Sequence, residues 1–432
     1  MKISIIAQTK ECEPCSWSDM NKNAMEFAGK NAGICYMPDD YTSEGINDTE
    51  ACLKRAKFNI KSGHYSVFEH YHITFLMEDI PKIMAMILNS TRLYNTSEKS
   101  ARYTKMKPET ELEAELYDKW CRKFTKILLE KHPELTDNEM NKLAQENARY
   151  LISVFTPTTM SFTVPYSRAI LLIDWLKDLN VWLYRFKELT FKTNSSNAMY
   201  STTISERLMI VIGEFIHNFS KVLGVNQSNL PLTDHKKMGI TLFNAYNMSE
   251  GSHAYYALDT IKELDHYGSV YYTKYFASLA CVAQLQRHRT INYNIRFINM
   301  GGSFCYTPNI IFDDAELSAE WESDFDKLIS ANILPQGQMV SVEESGNFLD
   351  FYAKCKERLC TRAQIEIREN TVETAKRFLG VQFKYSDLVK DMFYYDEDDD
   401  SYKVRPRCQF NNYTCKEPCK RYCKDCLYSL DI

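Results

Sequence analysis

The chain has 432 residues, 44% hydrophobic and 25% charged, with a formal net charge of −5. That is ordinary for a soluble globular protein of two or three domains, and the acidic balance argues against a generic nucleic-acid binder. No apolar run reaches membrane-spanning length, Met1 to Gln8 is too short for a secretory leader, and fourteen cysteines fit a reducing compartment, so a cytoplasmic location is expected.

Met1-Lys-Ile-Ser-Ile-Ile-Ala alternates polar and apolar residues and reads as an opening strand. Cys12 and Cys15 form a lone Cys-x-x-Cys, either two loop cysteines or half of a metal site. Ser62-Gly-His-Tyr-Ser-Val-Phe-Glu-His70 precedes a strand from Tyr71 to Phe75. Gly63 permits a turn there. His64, Glu69 and His70 have the spacing of a metal set; a polar turn entering a strand is the plainer alternative. Pro81 to Leu88 fits a helix with proline in its first turn. Ser97-Glu-Lys-Ser-Ala-Arg-Tyr103 offers a carboxylate, a hydroxyl and a guanidinium at Glu98, Ser100 and Arg102, a set that can grip a nucleotide phosphate or lie in a solvated loop. A helix through Glu146-Asn-Ala-Arg149 leads into a β-rich run from Thr156 to Val164, and Arg168 follows. Thr203-x-x-Glu206 has the form of a capping box for a helix through Leu223, ended by Gly224.

The polar stretch after Gly224, with Pro231, places a boundary near the midpoint: 1–227, 228–395 and a tail at 396–432. Beyond it, Tyr275 to Val282 is apolar and reads as the end of a buried helix or strand. Gln284-Leu-Gln-Arg-His-Arg-Thr-Ile-Asn-Tyr-Asn294 follows at once. Guanidinium forks at Arg287 and Arg289, around His288, suit phosphate or diphosphate oxygens; a solvated basic turn is the alternative. Arg358-Leu-Cys-Thr-Arg362-Ala-Gln-Ile-Glu-Ile-Arg368 reads as one helix, with Arg358 and Arg362 facing the same way. Tyr394 to Asp400 reads as an acidic solvated loop. In the tail, Cys415, Cys419, Cys423 and Cys426 suit structural zinc, with an iron–sulfur cluster or free thiols as alternatives.

Gln-x-x-Arg-His-Arg followed by Asn-Tyr-Asn resembles the signature of flavin-dependent thymidylate synthases, the ThyX family. That signature continues as Glu-x-Ser-x-Arg-Tyr. Here Ile295 and Phe297 replace its Glu and Ser, and the continuation stands instead at Glu98 to Tyr103. Conversely, Asn89-Ser-Thr-Arg92 occupies the place of Arg-His-Arg in the first half. The stretches around Ser66-x-x-Glu69, Ala148-Arg149 and Arg358 to Ile367 also resemble family segments. The resemblance implies an α+β (α/β-like) fold of two tandem units, each a central sheet with long helices, related by a pseudo-two-fold. It implies Glu98, Ser100, Arg102, Arg149, Gln284, Arg287 and Arg358 as substrate-binding residues, with Arg358 the catalytic group. Ser66, Glu69, Arg168, Arg287, His288, Arg289 and Arg362 become flavin contacts. The implied reaction is reductive methylation of dUMP or a related pyrimidine deoxynucleotide, with methylenetetrahydrofolate as carbon donor, NADPH as reductant and bound FAD. Hydroxymethylation, dCMP as substrate, and a non-catalytic nucleotide-binding relative are the alternatives. In the family each site is shared between subunits, and the two halves here keep the two complementary sets. A homodimer of fused chains is therefore expected, without nucleic-acid or membrane partners.

Overall fold

A computed structural model of the chain describes residues 1–9, 20–37, 43–62, 65–91, 94–99, 106–192, 198–224, 262–264, 268–297, 304–360, 363–379, 385–398, 400–411 and 413. In chain order the first elements are β1 (Lys2–Gln8), α1 (Met20–Tyr36), α2 (Glu44–Asn47), α3 (Thr49–Lys61), β2 (His72–Pro81), α4 (Lys82–Asn89) and β3 (Asn95–Glu98). α5 (Glu111–Lys131), α6 (Asp137–Ala148), β4 (Pro157–Pro165), α7 (Tyr166–Lys192) and α8 (Ala198–Leu223) follow. Next come β5 (Lys262–Leu264), β6 (Gly268–Ser278), α9 (Leu279–Leu285), β7 (Asn292–Arg296), α10 (Asn309–Phe312), α11 (Ala315–Ser330) and β8 (Met339–Asn347). α12 (Phe348–Arg358), α13 (Ile365–Lys376), α14 (Ser386–Met392), β9 (Phe393–Asp396) and β10 (Ser401–Val404) close the series.

The fold is mixed helix and sheet, and its two compact units cut across chain order. Unit 1 holds residues 1–100 and 155–240; unit 2 holds 101–154 and 241–432. The helical segment α5–α6 thus belongs with elements far behind it in sequence.

Unit 1 is built on an antiparallel sheet in the order β1-β2-β4-β3. Ile73, Phe75 and Met77 alternate inward on β2, as the period of a strand requires, and are fully buried. Phe75 packs on Phe219 of α8 with ring centroids 4.7 Å apart. α8 starts at Ala198, so Thr203 and Glu206 lie inside the helix and do not cap it. Tyr200, Ser201 and Ile204 are buried there, which draws the apolar face back beyond Thr203; Glu206 pairs with Lys187 of α7 instead.

Unit 2 repeats the plan with the order β5-β6-β8-β7. The registers agree as well. Pro81 pairs with Pro157 and Ser278 with Met339; Glu98 pairs with Met160 and Ile295 with Val342. A shift of 197 residues for the second and third strands (81 to 278, 98 to 295), with one of 182 for the fourth (160 to 342), superposes these pairs. Beyond the bulge between Met77 and Ile80, where Asp79 has a φ of 54°, the second-strand shift becomes 198 (Met77 to Tyr275).

Within unit 2 the segment after α6 meets its own counterpart. The Val154 N–H donates to the Leu334 carbonyl at 2.9 Å, and the Gln336 N–H to the Ile152 carbonyl at 2.8 Å. Residues 152 and 154 become 334 and 336 under the same shift of 182, so the two bonds exchange into each other. Trp120 of α5 and Trp321 of α11 meet edge-on, centroids 5.0 Å apart. α5 opens with a capping box: Thr110 Oγ1 accepts from the Glu113 N–H, and Glu113 Oε2 from the Thr110 N–H. The other oxygen of Glu113 accepts from the Ser153 N–H at 2.7 Å, which ties the cap to this pairing.

Three further expectations change. The apolar run before Gln284 is a strand-to-helix junction, because Ser278 caps α9 through its bond from the Cys281 N–H. The single helix expected from Arg358 to Arg368 is broken. Leu359, buried in the apolar cluster around Phe351 and Phe378, closes α12, and α13 begins afresh at Ile365. The acidic run after Tyr394 is a hairpin of β9 and β10, with Asp396 ion-paired to Lys403 at 2.7 Å. Among the described residues no helix is long and apolar enough to cross a membrane.

Candidate active site

In unit 2 the loop after α9 and the end of α12 converge. Arg358 Nε donates to His288 Nε2 at 2.7 Å, and its Nη2 to the Gln284 carbonyl at 3.4 Å. Burial, reinforced by the charges of Arg358, Lys354 and Arg287, pushes the His288 pKa down to about 2. The imidazole is therefore neutral and acts as an acceptor. Arg287 and Arg289 on either side of it are exposed.

Behind this loop runs a buried chain of hydrogen bonds. The Gln284 amide donates to Gln364, the Gln364 amide to the Tyr150 hydroxyl, and Tyr150 to Glu366 Oε2 at 3.1 Å. Ser278 donates its N–H to Glu366 Oε1 and its hydroxyl to Oε2, both at 2.6 Å. Burial raises the Glu366 pKa to about 6, against the opposing pull of the Ser278 and Tyr150 hydrogen bonds and the Arg149 charge. Arg149, which closes α6, is 3% exposed, with its guanidinium 5.6 Å from the Tyr150 ring. Its Nε and Nη2 have no hydrogen-bond partner among the described residues. Buried charged N–H groups are costly to leave without acceptors, which singles Arg149 out as a candidate anion contact.

In unit 1, Glu69 Oε1 accepts from Ser167 Oγ at 2.7 Å and from Arg168 Nε at 3.0 Å. Glu98 accepts from Lys82 at 2.6 Å and from Thr158 at 3.3 Å, and both members of its ion pair are buried. Glu69 and Arg168, and likewise His288 and Arg358, each singled out separately in the sequence, are thus in contact. Arg149 lies in the same hydrogen-bonded neighbourhood as Gln284. Ser66 falls in the turn Tyr65–Phe68, its side chain outside the described residues. Ser100, Arg102, Arg362, Cys415, Cys419, Cys423 and Cys426 also lie outside the described residues, as do Cys12, Cys15 and His64. Among the described residues no cluster of His, Cys, Asp or Glu could hold a metal ion.

Sequence reasoning passed over Tyr150, Ser278, Glu344, Lys354, Gln364 and Glu366. Gln364 and Glu366 stand inside a stretch already singled out. Glu344 had a signal of its own, since it falls on the same two-residue period as the apolar Val340 and Val342.

Residues 18–172 match the family model described as "Thymidylate synthase complementing protein". The resemblance carried by the motifs is thereby shown over that segment. Among solved structures, a UMP/dUMP methylase, PolB, from Streptomyces cacaoi bound with 5-Br dUMP is 17% identical over 39% of this chain and 74% of its own, with a TM-score of 0.25. Flavin-dependent thymidylate synthase ThyX from Helicobacter pylori, complexed with FAD and dUMP, is 17% identical over 52% of this chain and 100% of its own, with a TM-score of 0.24. No curated protein matches the chain.

Proposed function

We propose that the chain is a flavin-dependent enzyme acting on a pyrimidine deoxynucleotide, and specifically that it methylates dUMP reductively with methylenetetrahydrofolate and NADPH. The observation that carries this reading is the Gln284–Gln364–Tyr150–Glu366–Ser278 chain of hydrogen bonds. It joins the Gln-x-x-Arg-His-Arg stretch and the Ala-Gln-x-Glu stretch of the second half to Ala148-Arg149 of the first.

The open Nε and Nη2 of Arg149 fit the nucleotide phosphate. Arg358 has one N–H committed to His288, which leaves others for a pyrimidine carbonyl. Its charge stabilises negative charge developing on the ring, which eases attack by the pyrimidine carbon on the one-carbon donor. Gln284, Arg287, Glu98, Ser100 and Arg102 complete the proposed nucleotide set. Two exposed guanidinium groups around a neutral imidazole, Arg287, Arg289 and His288, suit a diphosphate-bearing group such as FAD, with Ser66, Glu69, Arg168 and Arg362 as its further contacts. Bound FAD supplies the hydride, and the chain's own residues position and polarise.

The matched strand order, the matched registers and the exchanging hydrogen bonds support a tandem duplication, two family-type units in one chain. A dimer of chains then stands in for a tetramer, and each chain contributes one complete site. The test is an assay of purified protein with dUMP, methylenetetrahydrofolate and NADPH, following flavin reoxidation and product mass. One flavin per chain and a product heavier than dUMP by one methyl group are expected; a colourless protein that leaves dUMP unchanged rules the reading out.

A further inference from the structure

Glu344 of β8 and Lys354 of α12 form an ion pair at 2.7 Å with both side chains wholly buried. Burying two charges is costly, and apolar residues of similar volume commonly serve stability as well or better. Unit 1 supplies the control. The shift of 182 that relates β4 to β8, continued about two turns into the following helix, carries Glu344 to Phe162 and Lys354 to Leu172. Tyr275 corresponds to Met77 and Tyr271 to Ile73. All four counterparts are buried and apolar. The same sheet order forms without the pair, so the fold does not require it.

What distinguishes unit 2 at this place is the group one helical turn further on. Lys354 and Arg358 lie four residues apart on α12, and Arg358 reaches His288 from there. Glu344 is held from β6 by the hydroxyls of Tyr271 (2.7 Å) and Tyr275. Tyr293 of β7, the next ring, has its buried hydroxyl unpartnered among the described residues, and Lys354 Nζ lies 5.9 Å from the Tyr275 and Tyr293 rings.

We propose that the Glu344–Lys354 pair is a positioning device for Arg358. It pins the turn of α12 from which Arg358 extends to His288. The inference rests on the reading of Arg358 as the group that meets the pyrimidine. Lys354, Arg358 and Arg287 all oppose a proton on His288. Protonated, His288 loses its acceptor and repels the guanidinium.

The test is the double variant Glu344→Gln/Lys354→Met in the full chain, which removes both charges and keeps an acceptor for Tyr271 and Tyr275. Flavin stoichiometry and the melting temperature are expected to stay near wild type. The KM for dUMP is expected to change less than about threefold while kcat falls roughly 10–100-fold, the scale of a misplaced catalytic group. Unchanged kcat in a folded, flavin-loaded double variant overturns the proposal. A second measurement needs no variant of the pair: nitrogen NMR of histidine-labelled chain, with His288→Gln identifying the resonance. A neutral ring down to pH 5 supports the device, and an imidazolium at pH 6 overturns it even if the double variant fails to fold. A wild-type chain that never turns over dUMP defeats the functional reading, and the NMR result still decides the state of His288.

Discussion

Unit 1 and unit 2 share a strand order and most of a register, yet they bury charge at complementary places. Unit 1 sets Lys82 against Glu98, where unit 2 has Leu279 and Ile295, both buried. Unit 2 sets Lys354 against Glu344, where unit 1 has Leu172 and Phe162. Each pair is thus dispensable to the sheet, because the other unit does without it. Ser278, which caps α9 and anchors Glu366, corresponds to Pro81, a residue with no side-chain donor. The junction that organises the candidate site in unit 2 therefore cannot be organised in the same way in unit 1. One scaffold accommodates apolar filling or a polar network at the same positions, and the network marks where chemistry is expected.

That contrast can be pressed experimentally. The largest effect is expected at Arg358, whose counterpart in unit 1 is the buried Leu176. Arg358→Ala should lower kcat by about 10³-fold, roughly 4 kcal/mol of transition-state stabilisation, with flavin still bound. Full activity in steady-state assays of that variant removes Arg358 from the proposed chemistry. Next is Lys82. Lys82→Met alone strands a buried carboxylate and should cost about 3 kcal/mol or more of unfolding free energy. Lys82→Met/Glu98→Leu, in which both positions are apolar as in unit 2, should recover most of it in thermal and urea unfolding. If the double variant is as unstable as the single, unit 2 is no guide to unit 1. Turnover that stays lost in the stable double variant would fit the substrate role proposed for Glu98.

The smallest effect is a pH dependence at Glu366, whose pKa is raised to about 6 by burial. A carboxyl raised above its unfolded value binds a proton more tightly when folded. Its favourable contribution is complete below the unfolded pKa of about 4.5 and fades as pH rises through about 6, on the order of 2 kcal/mol in all. Urea unfolding of wild type and Glu366→Gln at pH 4.5 and pH 7 measures it. The fall in stability over that interval should be smaller in the variant by about that amount, and an equal fall in both removes Glu366 as its source.

Much of the local structure was legible in the chain. The alternation of β1 and β2, the proline-led α4 and the glycine stop after α8 at Gly224 follow from side-chain period and backbone preference. The candidate residues were legible as motifs, since Arg-His-Arg and the late arginines carry their chemistry in composition. Thr203 misled because a capping pattern is local, whereas the buried face of α8 extends back to Tyr200 through packing on its neighbours. The break after Arg358 was hidden because helix spacing continues across it and only burial of Leu359 ends the helix.

By itself, then, the sequence determined which stretches are helix or strand over most of their length and which side chains can grip an anion. Period, caps and functional groups are properties of short runs. Tertiary structure alone decided that residues 101–154 group with the second unit, that Tyr150 and Ser278 share the carboxylate of Glu366, and that Lys354 lies buried on Glu344. The physical reason is that partners for buried charges and hydrogen-bonding groups come from elements distant in sequence, and only close packing selects among them.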